Sequence, residues 1–247
     1  MKLYGLIGKK LGHSYSADFF SSKFKKEKID AEYKLFPLTA IQDLPGLIKE
    51  NADLVGLNVT VPYKEEVLPY LTSLSEETRK IKAVNVIKIS REKEEIILKG
   101  YNSDVYGFRQ SLLPLLRPDI KDALILGTGG ASKAVDYVLK NLGIKTTFVS
   151  RTPDPDRITY KDLDKKTIDE NLLIVNTTPV GMFPDTDFFP DIPYQFLTPK
   201  HICYDLIYNP EETEFLRRAK EMGATIKNGL EMLRLQAERS WEIWNFE

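Results

Sequence analysis

An α/β fold with mainly parallel sheets is the class this chain of 247 residues predicts, on three observations. Short apolar runs alternate with amphipathic stretches along most of its length. Residues 123–152, ALILGTGGASKAVDYVLKNLGIKTTFVSRT, read as strand, glycine turn, helix and strand in succession. Several apolar runs also end in blocks rich in hydroxyl and amide side chains, and ligands of open α/β sheets bind beyond the carboxyl ends of strands.

The elements follow in order. Strands are expected at 3–7, 32–36, 54–59, 84–89 and 96–100, from their apolar and β-branched content. Between them lie helix candidates at 17–27, 40–50, 64–71 and 76–81, the last with Ser73-x-x-Glu76 as a capping box. The charge run at 91–95 reads as a hairpin turn. A second α/β unit starts near Asp104. It has strands at 123–126, 146–149, 172–176, 202–206 and 225–227. Its first helix buries Ala134, Val135, Val138, Leu139 and Leu142, and Gly143 stands at the C-cap. Asn209-Pro210-Glu211-Glu212 reads as a helix start, with Gly223 as its end. In the last segment, 230–244, Leu230, Leu233, Ala237, Trp241 and Trp244 form an apolar stripe; Met232, Gln236 and Ser240 lie on the neighbouring face.

Composition narrows the function classes. A net charge of −1 and a pI of about 6.2 give no electrostatic case for nucleic acid or an anionic membrane. One cysteine, Cys203, excludes an internal disulfide framework, and His13 and His201 lie far apart in sequence, so no metal site is expected. With no signal-like leader and no run of 18 apolar residues, the expectation is a soluble cytoplasmic protein.

The glycine turn Gly127-Thr128-Gly129-Gly130-Ala131 has two glycines of G-x-G-x-x-G, with Ser132 at the third. Such a turn sets a pyrophosphate on a helix N-terminus. An NAD site usually ends the following strand in Asp or Glu. Here Ser150-Arg151-Thr152 offers a cation and two hydroxyls, which suit a 2′-phosphate, with Arg157 nearby; NADP is the better match. Four other blocks are candidates. In Asn58-Val59-Thr60-Val61-Pro62-Tyr63-Lys64, Asn58 and Thr60 share a face, and Lys64 is either a cation for a carboxylate, a proton donor and acceptor, or a solvated surface lysine. In His13-Ser14-Tyr15-Ser16, the serines are paired donors for a carboxylate, or Ser16 is only an N-cap. Asp104, in Gly100-Tyr101-Asn102-Ser103-Asp104, either caps the helix it opens or orients a substrate hydroxyl and a lysine. Asn176-Thr177-Thr178-Pro179-Val180-Gly181-Met182 is either a pocket wall or a plain turn.

Taken together and in order, these blocks resemble the shikimate dehydrogenase family. The resemblance rests on HSYS at 13–16, NVTVPYK at 58–64, AVN at 83–85, GYNSD at 100–104, GTGGASKA at 127–134 and SRT at 150–152. It continues through NTTPVGM at 176–182, Asp205-Leu-Ile-Tyr208-Asn-Pro210-x-x-Thr213, and Gly229-x-x-Met232-x-x-x-Gln236. It covers essentially the whole chain. It implies a substrate domain (1–103 plus 229–247), a Rossmann-like NADP domain (104–228) and a cleft between them. It further implies reversible NADPH-dependent reduction of 3-dehydroshikimate to shikimate, with Lys64 and Asp104 as the catalytic pair. Ser14 and Ser16 would hold the substrate carboxylate; Asn58, Thr60, Asn85, Tyr208 and Gln236 complete the substrate set. Gly127, Thr128, Gly129, Gly130, Ala131, Ser150, Arg151, Thr152, Thr177, Leu206, Gly229 and Met232 would hold the cofactor. Ala17, Phe19, Phe20, Lys82, Val86, Ser103 and Ser150 depart from the family's usual residues. The alternatives are an NAD-using quinate/shikimate dehydrogenase, kept open by Asp154 and Asp156, and a ligand-sensing homologue without turnover. The family implies a monomer or a homodimer.

Overall fold

The computed structural model describes residues 1–247 apart from His13 and Glu94. The His13 position of the first block, and Glu94 of the expected hairpin turn, therefore lie outside the described residues. The chain divides into two compact units, residues 1–106 with 234–247 and residues 107–233.

The first unit contains β1 (Lys2–Gly8), α1 (Tyr15–Glu27), β2 (Ala31–Pro37), α2 (Leu44–Glu50), β3 (Leu54–Val59), α3 (Tyr63–Glu66), β4 (Ser73–Leu74), α4 (Glu76–Ile81), β5 (Val86–Glu92) and β6 (Glu95–Tyr101). Its six-stranded sheet has the order β2-β1-β3-β5-β6-β4. The β1–β2, β1–β3 and β4–β6 pairings are parallel, whereas β3–β5 and β5–β6 are antiparallel. Both faces are covered. One carries Leu3, Ile7, Leu44, Leu54, Leu57 and Val84; the other carries Tyr4, Phe20, Tyr33, Val86 and Trp244. Strands buried on both sides read as continuous apolar runs, which is why their positions were legible.

The boundaries fall within α5 (Asp104–Leu112) and α9 (Leu230–Phe246). The second unit holds β7 (Asp122–Leu126), α6 (Gly130–Asn141), β8 (Lys145–Ser150), β9 (Arg157–Thr159), α7 (Lys165–Glu170), β10 (Leu173–Asn176), β11 (Ile202–Asp205), α8 (Glu214–Glu221) and β12 (Thr225–Lys227). All five pairings of its sheet, β12-β11-β10-β7-β8-β9, are parallel. That is a Rossmann-like strand order, with β7 central and the glycine turn at its carboxyl end. Among the described residues, no helix is long and apolar enough to cross a membrane.

Several local expectations are corrected. Ser73 does not cap α4, because it lies in β4 opposite Lys99; the cap is Ser75, whose Oγ accepts the Thr78 N–H at 3.2 Å. The helix expected at 64–71 stops at Glu66 and resumes as a 3₁₀ turn, Leu68–Tyr70, since Pro69 has no N–H with which to continue it. The helix expected from residue 40 opens with a 3₁₀ turn, Ile41–Asp43, before α2. β5 starts at Val86 rather than at 84, because the Val84 N–H is drawn off the ladder to the Lys64 carbonyl at 2.7 Å. Asn209-Pro210 does not open α8. The Asn209 carbonyl accepts from the Phe183 N–H and the Glu211 carbonyl from Asn228, so the segment is held as a loop and Thr213 is the N-cap. On α9, Leu230 is 42% exposed, whereas Met232 and Ser240 are buried with Ala237, Ile243 and Trp244. The buried face thus includes the polar side of the predicted stripe, and hydrogen bonds are what make Ser240 tolerable there.

Candidate active site

β3 runs parallel to β1, and its last residues place Asn58 and Thr60 at the carboxyl end of the first unit's sheet. The next turn carries Lys64 on α3, a helix anchored by buried Tyr63, whose hydroxyl donates to the Leu38 carbonyl at 2.8 Å. Opposite, the chain leaving β6 enters α5 at Asp104. Lys64 Nζ donates to Asp104 Oδ2 at 2.6 Å, with the two side chains 16% and 3% exposed. The helix-capping alternative for Asp104 is taken instead by Asn102: its Oδ1 accepts the Val105 N–H, while its Nδ2 donates to the Ala83 carbonyl. The Asp104 carboxylate is thereby left for Lys64 and Asn85. Breaking so buried a pair from one side typically costs about 3–5 kcal/mol.

Asn85 holds the centre. Its Nδ2 donates to Asp104 Oδ1 at 2.9 Å, Ser103 Oγ at 3.1 Å and Gln236 Oε1 at 3.2 Å, so two hydrogens serve three acceptors. Its Oδ1 accepts the Ser103 N–H at 2.7 Å. Gln236, brought from the end of the chain by α9, uses Oε1 on Asn85; its Nε2 has no protein partner among the described residues. Asn58 Nδ2 donates to the Asn85 carbonyl and to Ser240 Oγ, and Asn58 Oδ1 accepts from the Tyr33 hydroxyl at 2.8 Å. Ser16 is not an N-cap. Ser14 takes that position, with no side-chain capping bond, and Ser16 lies inside α1. The structure thus brings together Lys64, Asp104, Asn85, Gln236 and Asn58 through direct hydrogen bonds. Thr60 follows Asn58 on the same strand end, half-buried.

In the second unit the glycine turn leads from β7 into α6. Gly127 has φ 103, and a Cβ there would meet Thr177 Oγ1 at 2.9 Å, so glycine is required on both counts. Gly129 is the N-cap residue without a side-chain bond, and a Cβ on it would meet nothing within 4 Å. The first turn of α6 therefore presents N–H donors towards open space, which is the cradle a dinucleotide diphosphate needs. Ser132, in the third glycine's place, is buried and ties its Oγ to the Gly129 carbonyl at 2.6 Å. At the end of β8, Arg151 and Thr152 are exposed, and Ser150 Oγ accepts the Thr152 N–H. Arg157 is not a free phosphate ligand, because it pairs with Asp154 at 3.1 Å; the same pair occupies Asp154, one of the two carboxylates that kept a ribose-binding acid open. These residues fit NADP.

Thr177 Oγ1 donates to the Leu126 carbonyl at 2.6 Å, which joins the β10 loop to the glycine turn. Gly229 lies against the Leu206 backbone so closely that a Cβ would stand 2.0 Å from its carbonyl oxygen. Met232 is buried, and Leu206, Thr128, Gly130, Ala131 and Tyr208 line the same strand-end loops or the first turn of α6. The loops converge on buried Asp205, which accepts from Asn176 Nδ2, the Ile207 N–H and Thr213 Oγ1. No role had been assigned to Asp205, Tyr33, Ser240 or Asn102. The available signals were Ser240 standing one helical turn beyond Gln236, and Asp205 at a strand end.

A parallel-sheet unit with an anion cradle at its central strand, and a second α/β unit with a lysine–carboxylate pair at its strand ends, define the dinucleotide-dependent dehydrogenase class. The family model described as shikimate dehydrogenase substrate binding domain matches residues 6–87. Shikimate dehydrogenase (NADP(+)) of Clostridium beijerinckii is 39% identical, over 99% of this chain and 92% of the relative. The crystal structure of shikimate dehydrogenase 1 from Peptoclostridium difficile is 38% identical with a TM-score of 0.82, covering 99% of this chain and 91% of that one. The Thermus thermophilus enzyme, solved with NADP(H) and shikimate, is 29% identical with a TM-score of 0.85, covering 99% and 94%. The chain belongs to the shikimate dehydrogenase family.

Proposed function

We propose that this chain catalyses the reversible, NADP-dependent reduction of 3-dehydroshikimate to shikimate. The observation that carries the reading is the Lys64–Asp104 pair, with Asn85 and Gln236 bonded around it. Bound NADPH supplies a hydride to the carbonyl carbon. The carbonyl oxygen then needs a proton, and Lys64 can donate one while its charge stabilises the developing alkoxide. Asp104 fixes the lysine, and Asn85 fixes Asp104, so the ammonium is aimed before substrate arrives. In the oxidative direction the neutral amine takes the proton from the hydroxyl. Gln236 Nε2 and the Asn58 and Thr60 oxygens suit ring hydroxyls, and the hydroxyls of Ser14 and Ser16 suit the carboxylate. Exposed Arg151, with Thr152 and Ser150, suits the 2′-phosphate and favours NADP over NAD. A cytoplasmic setting accords with one buried, unpaired cysteine, Cys203.

The test mixes the purified protein with shikimate and NADP and follows the absorbance of reduced nicotinamide, repeated with NAD and with quinate. Reduction only with shikimate and NADP is the expected outcome. Reduction confined to NAD or to quinate would replace the reading, and no reduction with any pair would end it.

A further inference from the structure

Ser240 stands one helical turn beyond Gln236 on α9 and is 1% exposed, and the proposed chemistry does not use it. A serine inside a helix commonly returns its proton to the carbonyl four residues back. Ser240 does so, donating from Oγ to the Gln236 carbonyl at 2.8 Å. A carbonyl only accepts, so the one proton of Ser240 is committed. Its oxygen keeps two lone pairs, and two donors face them: Asn58 Nδ2 at 3.0 Å and the Ser103 hydroxyl at 3.2 Å.

Asn58 Nδ2 carries two hydrogens. One goes to the Ser240 oxygen and the other to the Asn85 carbonyl at 3.3 Å. Both partners only accept in this arrangement, so the amide nitrogen must point inward. Oδ1 faces the Tyr33 hydroxyl, which donates at 2.8 Å from a ring stacked on Phe20. One lone pair on Asn58 Oδ1 remains for a ligand. It suits a hydroxyl, which can donate, and refuses a ketone or ether, which cannot. The bond to the Asn85 carbonyl is the longer of the two, so Ser240 is the firmer hold on Nδ2. Ser103 does not share this dependence. Its Oγ also lies 3.3 Å from Asn85 Oδ1, an alternative acceptor, so loss of the Ser240 oxygen falls on Asn58.

We propose that Ser240 is a positioning residue for substrate binding, which holds the Asn58 amide so that only its oxygen faces the ligand. The proposal rests on the assignment of Asn58 to the substrate site. With alanine at 240, one Nδ2 hydrogen loses its partner in a buried place. The amide turns to satisfy it, and the acceptor offered to a ring hydroxyl is misplaced. Among the described residues, Ser240 bonds neither Lys64 nor Asp104, so the loss falls on substrate binding rather than on proton transfer.

Ser240→Ala and Ser240→Cys separate the hydrogen bond from packing, because the cysteine sulfur fills the space but accepts weakly. Steady-state kinetics, with shikimate and NADP varied in turn, are compared for wild type, both Ser240 variants, Asn58→Ala and the double variant Ser240→Ala with Asn58→Ala. Both Ser240 variants are expected to raise KM for shikimate about tenfold, the scale of one hydrogen bond, with kcat within about threefold and KM for NADP unchanged. In the Asn58→Ala background, Ser240→Ala should move KM for shikimate by less than about threefold, because the residue it acts through is gone. An unchanged KM for shikimate in the Ser240 variants, or multiplicative effects in the double variant, overturns the proposal. So does a Ser240→Cys protein that behaves as wild type beside an impaired Ser240→Ala, which marks packing, or a loss shared equally by kcat and KM for NADP. If Ser240→Ala does not fold, Ser240→Cys decides. Wild-type protein inactive on shikimate overturns the functional reading itself, a result distinct from an active wild type with unaffected Ser240 variants.

Discussion

Replacing Asp205 by Asn should change how stability depends on pH. Asp205 is fully buried at the end of β11, and its oxygens accept from Asn176 Nδ2 at 3.0 Å, the Ile207 N–H at 3.0 Å and Thr213 Oγ1 at 2.7 Å. Burial pushes its carboxyl from an ordinary 3.8 up to about 6, and these three donors limit the rise. The folded state thus holds this proton more tightly than the unfolded state. Its contribution to stability is complete below about pH 3.8 and is lost as pH rises through about 6. At neutral pH the buried charge costs about 3 kcal/mol relative to the neutral acid. Asn is a neutral isostere: its Oδ1 can serve Asn176 and Ile207, and its Nδ2 can donate to Thr213 Oγ1, a rearrangement costing about 1 kcal/mol. The variant is therefore expected to be about 1 kcal/mol less stable than wild type near pH 4 and about 2 kcal/mol more stable near pH 7.5. The assay is urea unfolding of both proteins across that range, read as the difference between them. The difference cancels Glu214, Asp162 and Asp164, whose carboxyls are held low by hydrogen bonds and which stabilise in the opposite direction, above their unfolded values. A pH-independent difference, or a variant that loses ground as pH rises, would refute the reasoning.

Three further outcomes are expected. Lys64→Ala should lose about 10²–10⁴-fold in kcat, the range for a general acid–base group; unchanged turnover in folded protein would remove Lys64 from the chemistry. Arg151→Ala should raise KM for NADP by about tenfold or more while leaving any activity with NAD intact, since only the 2′-phosphate is lost as a partner. Equal losses with both cofactors would count against it. Gly229→Ala forces a Cβ to within 2.0 Å of a backbone oxygen, and should destabilise the protein by about 3 kcal/mol or more, seen as a lowered melting temperature.

What the sequence revealed follows the physical range of each signal. Strand positions were legible because burial on both sheet faces leaves uninterrupted apolar runs, as at residues 123–126 and 173–175. The glycine turn was legible because its backbone demands are local. Boundaries failed where a distant partner decided them. Thr213, not Asn209, caps α8 because Asp205 holds its hydroxyl, and β5 begins late because Lys64 takes the Val84 N–H. Capping and turn rules see only neighbours in sequence, so neither outcome was available to them.

The same distinction explains why the candidate site could be listed from sequence but not wired. Residue types at strand ends named Lys64 and Asp104, and the family resemblance added Asn85 and Gln236. Their partners are set by topology: 40 residues separate Lys64 from Asp104, and 151 separate Asn85 from Gln236. Two of the residues that hold the network together, Tyr33 and Ser240, looked like ordinary core positions, a β-strand aromatic and a small helix residue. Each is buried at the cost of a polar atom, and each recovers that cost by bonding Asn58 from opposite ends. A buried hydroxyl in an otherwise apolar cluster, facing an amide at a strand end, is therefore a sign of a positioned group rather than of core alone. The observation directs mutagenesis to Tyr33 and Ser240 as well as to Lys64 and Asp104.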